Sequence, residues 1–504
     1  MAASRSHDAK RSAKPSGGSA SEPRPKSGPA IIHPIERFDL VVLGSGPGGQ
    51  RAAIQAAKLK KSVLVIEKER VGGACLHKAT IPSKTLREAA LESEGSSDSP
   101  WGRMLLRMRG VIEAETTLVA QQLQRNGVVF AEGSGKLVDP HTVEVQSSSG
   151  TRRVHGEFIV IATGTSPNRP PHIEFNHTTL LDSDTILGIR HQPKRLAVVG
   201  AGVIGCEYTS IFARMGTEVT LINRPEVILR GVDHEIVQAL LSHFVDTGID
   251  VRSGCQFEDR PIVRSHKTKK GHRGSVGLVI DGKEQRFDAI LWCLGRKGNI
   301  AGLGLDSVGI STDERGLIKV NERYQTTVPH IYAVGDVIGL PGLAAASAEQ
   351  GRLAAAHAFG LPGGKFPSSF PYGIYTIPEI SWAGKQEQEL VAENIPFVVG
   401  RALYTELARG KILGDEHGFL KLLIHRDTRK ILGVHVLGTG ATELVHIGQI
   451  AMGLGASVEF LVNNVFNYPT LAEAYKVAAY NAYNQLCLLE TAVSAEKEKT
   501  GSRR

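Results

Sequence analysis

Cysteine is scarce: five residues in a chain of 504, scattered and in no paired spacing. That excludes a disulfide-built fold and makes a reducing compartment the expectation. No stretch approaches the roughly eighteen apolar residues that a membrane-spanning helix requires, so no membrane partner is expected. The N-terminus lacks the apolar core of a secretory leader, and secretion is not expected. Its first thirty residues also lack aromatic side chains and carry six Lys/Arg against Asp8 and Glu22. Rich in Ser, Pro, Gly and Ala, such a segment buries too little apolar surface to offset the entropy of ordering. Residues 1–34 therefore read as a disordered basic tail. The two acids and the Pro/Gly content argue against an amphipathic mitochondrial presequence, which leaves a cytoplasmic location as the expectation. The net charge is +8, yet no recognised nucleic-acid-binding motif accompanies it. A second basic cluster, Arg264–Arg273, reads as a solvated hairpin tip, and nucleic acid is not expected as a partner. No metal site is expected either.

Glycine, by contrast, is abundant, at 56 residues, and it marks two copies of one pattern. The apolar run Phe38–Leu43 leads into Gly44-x-Gly46-x-x-Gly49, then an Ala-rich helical pattern to about Leu59, then a second apolar run, Ser62–Ile66, ending in Glu67. This is a βαβ unit for a dinucleotide. Gly44 permits the tight turn, Gly46 lets the backbone approach the pyrophosphate, Gly49 lets helix and strand pack closely, and Glu67 can accept hydrogen bonds from a ribose. The same order returns with Leu196–Val199, Gly200-x-Gly202-x-x-Gly205, a helix to about Met215, and a strand Glu218–Ile222 ending at Asn223-Arg224. Aligned on their first glycines, Asn223 falls opposite Glu67. An acid there repels a 2′-phosphate, whereas a neutral Asn beside an Arg does not. The second unit is therefore expected to take NADP as well as NAD.

The stretch Gly72-Gly-Ala-Cys75-Leu-His-Lys-Ala-Thr80-Ile-Pro82-Ser-Lys84 resembles the active-site segment of the flavin-dependent disulfide reductases, a family that includes lipoamide dehydrogenase, glutathione reductase and mercuric reductase. Phe158–Thr165, with Gly164, is similar to that family's chain-crossing segment. Thr327–Asp336, with Gly335 and Asp336, is similar to its second flavin-binding segment, in which the Asp contacts the ribityl chain. Ala344 matches the residue whose backbone lies near the flavin ring. The resemblance implies an α/β protein with two Rossmann-like dinucleotide-binding domains and a C-terminal α+β dimerisation domain. FAD would occupy 35–166 and 295–361, and NAD(P) would occupy 167–294, with Gly295 at its border. A dimer domain would span 366–490 and a flexible tail 491–504.

The chain departs from the family at its thiol chemistry. The family carries two cysteines five positions apart; here the second, nearer the flavin, is Thr80. The family's C-terminal His, a proton shuttle oriented by a Glu, is replaced by Tyr468 in Asn-Tyr-Pro-Thr-Leu-Ala-Glu473, and a phenol of ordinary pKa near ~10 is a poor shuttle at neutral pH. Lys84 and Glu207 match the charge pair beside flavin and nicotinamide in the family, so both are taken as catalytic residues and as cofactor contacts. Cys75 reads as a packing residue. This combination resembles the transhydrogenase branch of the family, whose members run NADPH + NAD ⇌ NADP + NADH. It implies a ping-pong route through FAD, with NAD and NADP as substrates, in a homodimer. Two other readings stay open: an NAD(P)H dehydrogenase reducing a quinone, dye or oxygen, and a non-catalytic nucleotide sensor or scaffold.

Overall fold

A computed structural model describes residues 35–92, 101–268, 271–362 and 364–501. The expected basic tail and residues 269–270 at the tip of the basic hairpin lie outside these, while the strands Ile262–Thr268 and Gly271–Ile280 pair antiparallel, as a hairpin requires. Among the described residues, no helix is long and apolar enough to cross a membrane.

Three sheets organise the chain. The first is parallel at its centre, in the order Val129–Glu132, Val63–Glu67, Glu36–Leu43, Gly150–Ile161, with Ile331–Ala333 on the far side of the last strand. Its strands are continuous apolar runs because both faces are covered: the helices Pro47–Lys58 and Ala344–Ala358 pack on one, and the strands Ser134–Leu137 and Thr142–Ser147 with the segment 303–318 on the other; Leu40, Val41 and Val42 are fully buried. The second sheet is wholly parallel, ordered Asp250–Ser253, Glu218–Asn223, Arg195–Val199, Ala289–Trp292, Leu180–Asp182. In both, the first strand feeds a helix through the glycine turn, Pro47–Lys58 in one and Val203–Arg214 in the other. Gly44 and Gly200 take φ +100° and +105°, which a side chain would resist. A Cβ on Gly49 would run into the carbonyl of Gly44, and one on Gly205 into that of Gly200. The two copies share one turn geometry.

The chain leaves the first unit through Thr165–Pro167 and returns through Arg296–Gly298, and these crossings pair antiparallel. The third sheet, antiparallel, runs Tyr372–Ile374, Ile380–Gly384, Ile431–Leu437, Phe419–His425, Phe397–Leu403. The helices Ala441–Gly453, Val458–Asn463 and Glu473–Gly501 follow it. Of the residues expected as a flexible tail, 491–504, those to Gly501 continue the last helix and 502–504 lie outside the described residues. Glu496-Lys-Glu-Lys499 are good helix formers that extend an existing helix without a new nucleation step.

The strands Phe419–His425 and Ile431–Leu437 carry polar residues among apolar ones. Both strands are buried on both faces. The polar positions Lys421 and His435, which pair across the strands, meet the helix His234–Asp246 of the second unit instead of water. Lys421 Nζ donates to both oxygens of Asp233, at 2.9 and 3.0 Å, and lies 2.9 Å from Glu235. Glu387 closes the ring around Lys421, Arg401 balances Glu235 at 2.6 Å, and Asp233 also caps its helix by accepting from the Glu235 N–H. Burial holds the His435 imidazole below its ordinary range, hence neutral, and its Nε2 donates to the Lys385 carbonyl at 2.9 Å.

Removing one member of such a buried network leaves uncompensated charge. Lys421→Met is expected to lower unfolding stability by about 3–5 kcal/mol, read from denaturant midpoints at matched flavin and protein concentration. A loss below about 1 kcal/mol would show that the network behaves as a surface pair.

Candidate active site: a cleft between two nucleotide units

A cleft of about 790 Å³ opens where the C-terminal ends of the first sheet meet the second unit. Its walls come from separate parts of the chain: the Gly44–Gly48 turn, Glu67, Cys75–Lys84, Gly164, Glu207, Asp336 and Ala344. The crevice beyond the strand ends is where open parallel sheets place ligands.

The floor is arranged to hold a dinucleotide. Glu67, buried at its strand end, accepts from the N–H and Oγ of Ser45 at 2.9 and 2.8 Å and from the N–H of Glu69 at 3.0 Å. These bonds aim the carboxylate along the turn and leave it capacity for a ribose hydroxyl. A Cβ at Gly46 or at Gly164 would meet nothing within 4 Å, so the turn and the chain crossing leave open space at the cleft. Gly335, at φ +77°, has its N–H held by Gln350 at 2.8 Å, which sets Asp336 at the cleft. Burial pushes the Asp336 carboxyl above its usual range, and Thr165 Oγ1 reaches it at 3.4 Å. Ala344 opens the helix Ala344–Ala358, whose N-terminus faces the same space. These donors and acceptors fit an FAD.

At the cleft's other wall, Lys84 on the helix Thr80–Glu92 reaches Glu207 on the helix Val203–Arg214. The ammonium donates to both carboxylate oxygens at 2.8 and 2.7 Å. Glu207 is nearly enclosed while Lys84 keeps a quarter of its side chain accessible, so the pair presents its cationic end to the cleft.

The second glycine turn repeats the first one's hydrogen bonding. The Ala201 N–H donates to Asn223 Oδ1 at 3.3 Å, the place that Ser45 and Glu67 occupy in the other copy. The Asn223 amide donates in turn to the carbonyls of Pro225 and Val227, at 2.7 and 3.2 Å. Arg224 stacks on Phe257 at 4.2 Å and pairs with Asp259 at 2.6 Å. Gly200, Gly202 and Gly205 lie at this turn, and Gly295 accepts from the Asn168 N–H beside the chain crossing; none of the four lines the cleft proper, which Val203, Ile204, Glu207 and Tyr208 reach from this unit.

Cys75 and Thr80 both line the cleft. Burial pushes the Cys75 thiol above its ordinary range, with the Thr80 hydroxyl beside it, so the thiol stays protonated at neutral pH and is a weak nucleophile. All five cysteines are free. Tyr468 is largely exposed and Glu473 begins the last helix; neither lines the cleft.

Several site residues carry no local sequence signal. Arg296 donates to Thr165 Oγ1 and to the Thr165 carbonyl, both at 2.8 Å, and stands 3.8 Å from Asp184. Tyr375, on a segment of the third sheet, contacts both Lys84 and Glu207. Only the chain crossing and the packing of the third domain bring them in; a cation directly after Gly295 was the one available hint.

Residues 38–351 match the family model described as pyridine nucleotide-disulphide oxidoreductase, and residues 370–479 match its dimerisation domain. A soluble pyridine nucleotide transhydrogenase of Mycobacterium tuberculosis is 46% identical over 468 residues, covering 90% of this chain and 98% of that protein. The enzyme of the same name from Pseudomonas putida is 43% identical, covering 90% and 99%. Among solved structures, LpdA from Mycobacterium tuberculosis superposes with a TM-score of 0.80 at 26% identity, covering 88% of this chain and 99% of that one. The flavoprotein disulfide reductase RclA from Escherichia coli shares the fold, with a TM-score of 0.81 at 24% identity over 88% and 99%. With more than half its length under one family model and a nucleotide cleft to match, the chain belongs to the pyridine nucleotide-disulphide oxidoreductase family.

Proposed function

We propose that this protein is a FAD-dependent transhydrogenase that moves a hydride between NADPH and NAD without a redox disulfide. One observation carries the reading: the Lys84–Glu207 pair stands intact at the cleft, while the position five residues after Cys75 is Thr80, which cannot form a disulfide. The Gly44–Gly49 turn, Glu67, Gly164, Gly335, Asp336 and Ala344 would hold the FAD, which when bound would supply a reversible two-electron hydride store. Lys84 offsets negative charge that builds at the ring, and Glu207 holds Lys84 in place. No general acid or base is needed for hydride exchange between nucleotides, in keeping with Tyr468 in place of a histidine. With no disulfide to accept electrons, NADPH and NAD take turns at the turn Gly200–Gly205, each entering as the other product leaves.

Asn223 supports both nucleotides through its neutrality and its hold on the Arg224–Val227 loop. The exposed Arg224–Asp259 pair is worth little in water, so a 2′-phosphate can take the place of Asp259. The relatives' names support the same activity. The matched dimerisation domain and the exposed apolar Leu454, Val465 and Leu488 support a homodimer formed through the third domain. Free cysteines suit the cytoplasm.

Purified protein given NADPH and a spectrally distinct NAD analogue is expected to reduce the analogue at a rate at least comparable to any quinone reduction; quinone reduction without analogue reduction would favour the dehydrogenase reading. Asn223→Glu is expected to raise the KM for NADPH at least about tenfold more than that for NADH, since a carboxylate repels the 2′-phosphate while the loss of the amide's bonds to Pro225 and Val227 bears on both nucleotides alike. Equal effects on both would show that this strand end does not read the 2′ position. Cys75→Ala is expected to keep most activity, and the NADPH-reduced enzyme to lack a long-wavelength thiolate–flavin band at neutral pH; loss of activity would return the thiol to the mechanism.

A further inference from the structure

The Lys84–Glu207 pair joins two nucleotide units, yet a third part of the chain sets its geometry. From the strand Tyr372–Ile374 of the C-terminal sheet, the segment Tyr375–Glu379 runs between the two helices that carry the pair. It is tied to both. The Ile377 N–H donates to Ser210 Oγ at 3.1 Å on the Glu207 helix. On the Lys84 helix, the buried Arg87 donates through Nε to the Thr376 carbonyl at 3.1 Å and pairs with Glu379 at 3.0 Å. Glu379 is held in turn by the Thr442 hydroxyl at 2.9 Å.

Within that frame Tyr375 touches both members of the pair. Its backbone N–H donates to Glu207 Oε1 at 2.9 Å, and its ring centroid lies 4.8 Å from Lys84 Nζ. A carboxylate bonded by Lys84 alone could follow the ammonium; one also fixed by a main-chain N–H cannot. The ring offers its negative π-face to the remaining side of the ammonium, an attraction that strengthens out of water. Lys84 also meets Ser83 Oγ, at a weak 3.4 Å.

We propose that Tyr375 is a positioning residue for the Lys84–Glu207 pair: its main chain fixes the carboxylate and its ring face holds the ammonium at the cleft. The C-terminal domain thereby acts on hydride transfer through a residue that need not touch substrate. The proposal rests on the reading that this pair serves a bound flavin.

The test compares Tyr375→Leu, which keeps the N–H and removes the π-face, with Tyr375→Phe, which keeps both, in flavin-loaded enzyme without oxygen. Tyr375→Leu is expected to slow flavin reduction at saturating NADPH by about five- to tenfold, the scale of a partly desolvated cation–π contact. Its flavin midpoint potential should become more negative, while the Kd for NADPH stays within about twofold. Tyr375→Phe should match the wild type in all three. In a Lys84→Met background, Tyr375→Leu should have no further effect on the rate or the potential. If Tyr375→Leu takes up less flavin, Tyr375→Met, unbranched and equally free of a π-face, carries the same expectations. Unchanged rate and potential in the leucine and methionine variants, a phenylalanine variant as slow as the leucine one, or additive effects with Lys84→Met each overturn the proposal. Wild-type flavin that NADPH does not reduce would defeat the functional reading itself, a result separable from reduction that ignores Tyr375.

Discussion

Glu207 is an almost fully enclosed carboxylate, and its chief partners come from outside its own unit. An unpaired charge in that position would cost several kcal/mol, so the helix that bears it is stable only when docked against Lys84 on one side and the Tyr375 main chain on the other. The charge that arms the site is therefore also the charge that assembles it. The reacting face and the junction of the three parts of the chain cannot be separated.

A second junction obeys the same physics away from the chemistry. Lys421, fully buried, is acceptable only because Asp233, Glu235 and Glu387 surround it, and Asp233 belongs to the inserted unit. The Lys421 ring, the Glu207 contacts and the paired crossings at Thr165–Pro167 and Arg296–Gly298 are three of the attachments that hold the nucleotide-binding insert. Each is polar and directional, which favours one relative placement over the many that apolar contact alone would allow.

The two glycine turns, their strands and the acid or amide at each strand end were legible in the sequence, because a dinucleotide imposes its demands over about twenty-five consecutive residues. Lys84, Glu207 and Asp336 were legible only through resemblance to a family, since single charges announce nothing by themselves. Arg296 and Tyr375 were not legible: they reach the cleft through crossing strands and domain packing, contacts between residues far apart in the chain. The burial of Lys421 and His435 was not legible for a related reason. Polar residues at alternate positions of a strand normally mark the wet face, and only the arrival of a helix from another unit turns that face inward. The end of the last helix went unread because Glu and Lys propagate a helix without an apolar stripe to mark it.

The paired crossings have one more implication. Because Pro167 lies opposite Arg296, the inserted unit begins and ends at nearly the same point in space, the geometry of a cassette that could be lifted out and its flanks rejoined. The attachments at Glu207 and Asp233 oppose that. A foreign nucleotide-binding cassette placed at this seam would close the chain, yet it would leave Lys84 without its carboxylate and Lys421 with Glu387 alone unless it brought counterparts of Glu207, Asp233 and Glu235. Specificity for a nucleotide is thus exchangeable in this architecture only together with the acids that bind the cassette to its host.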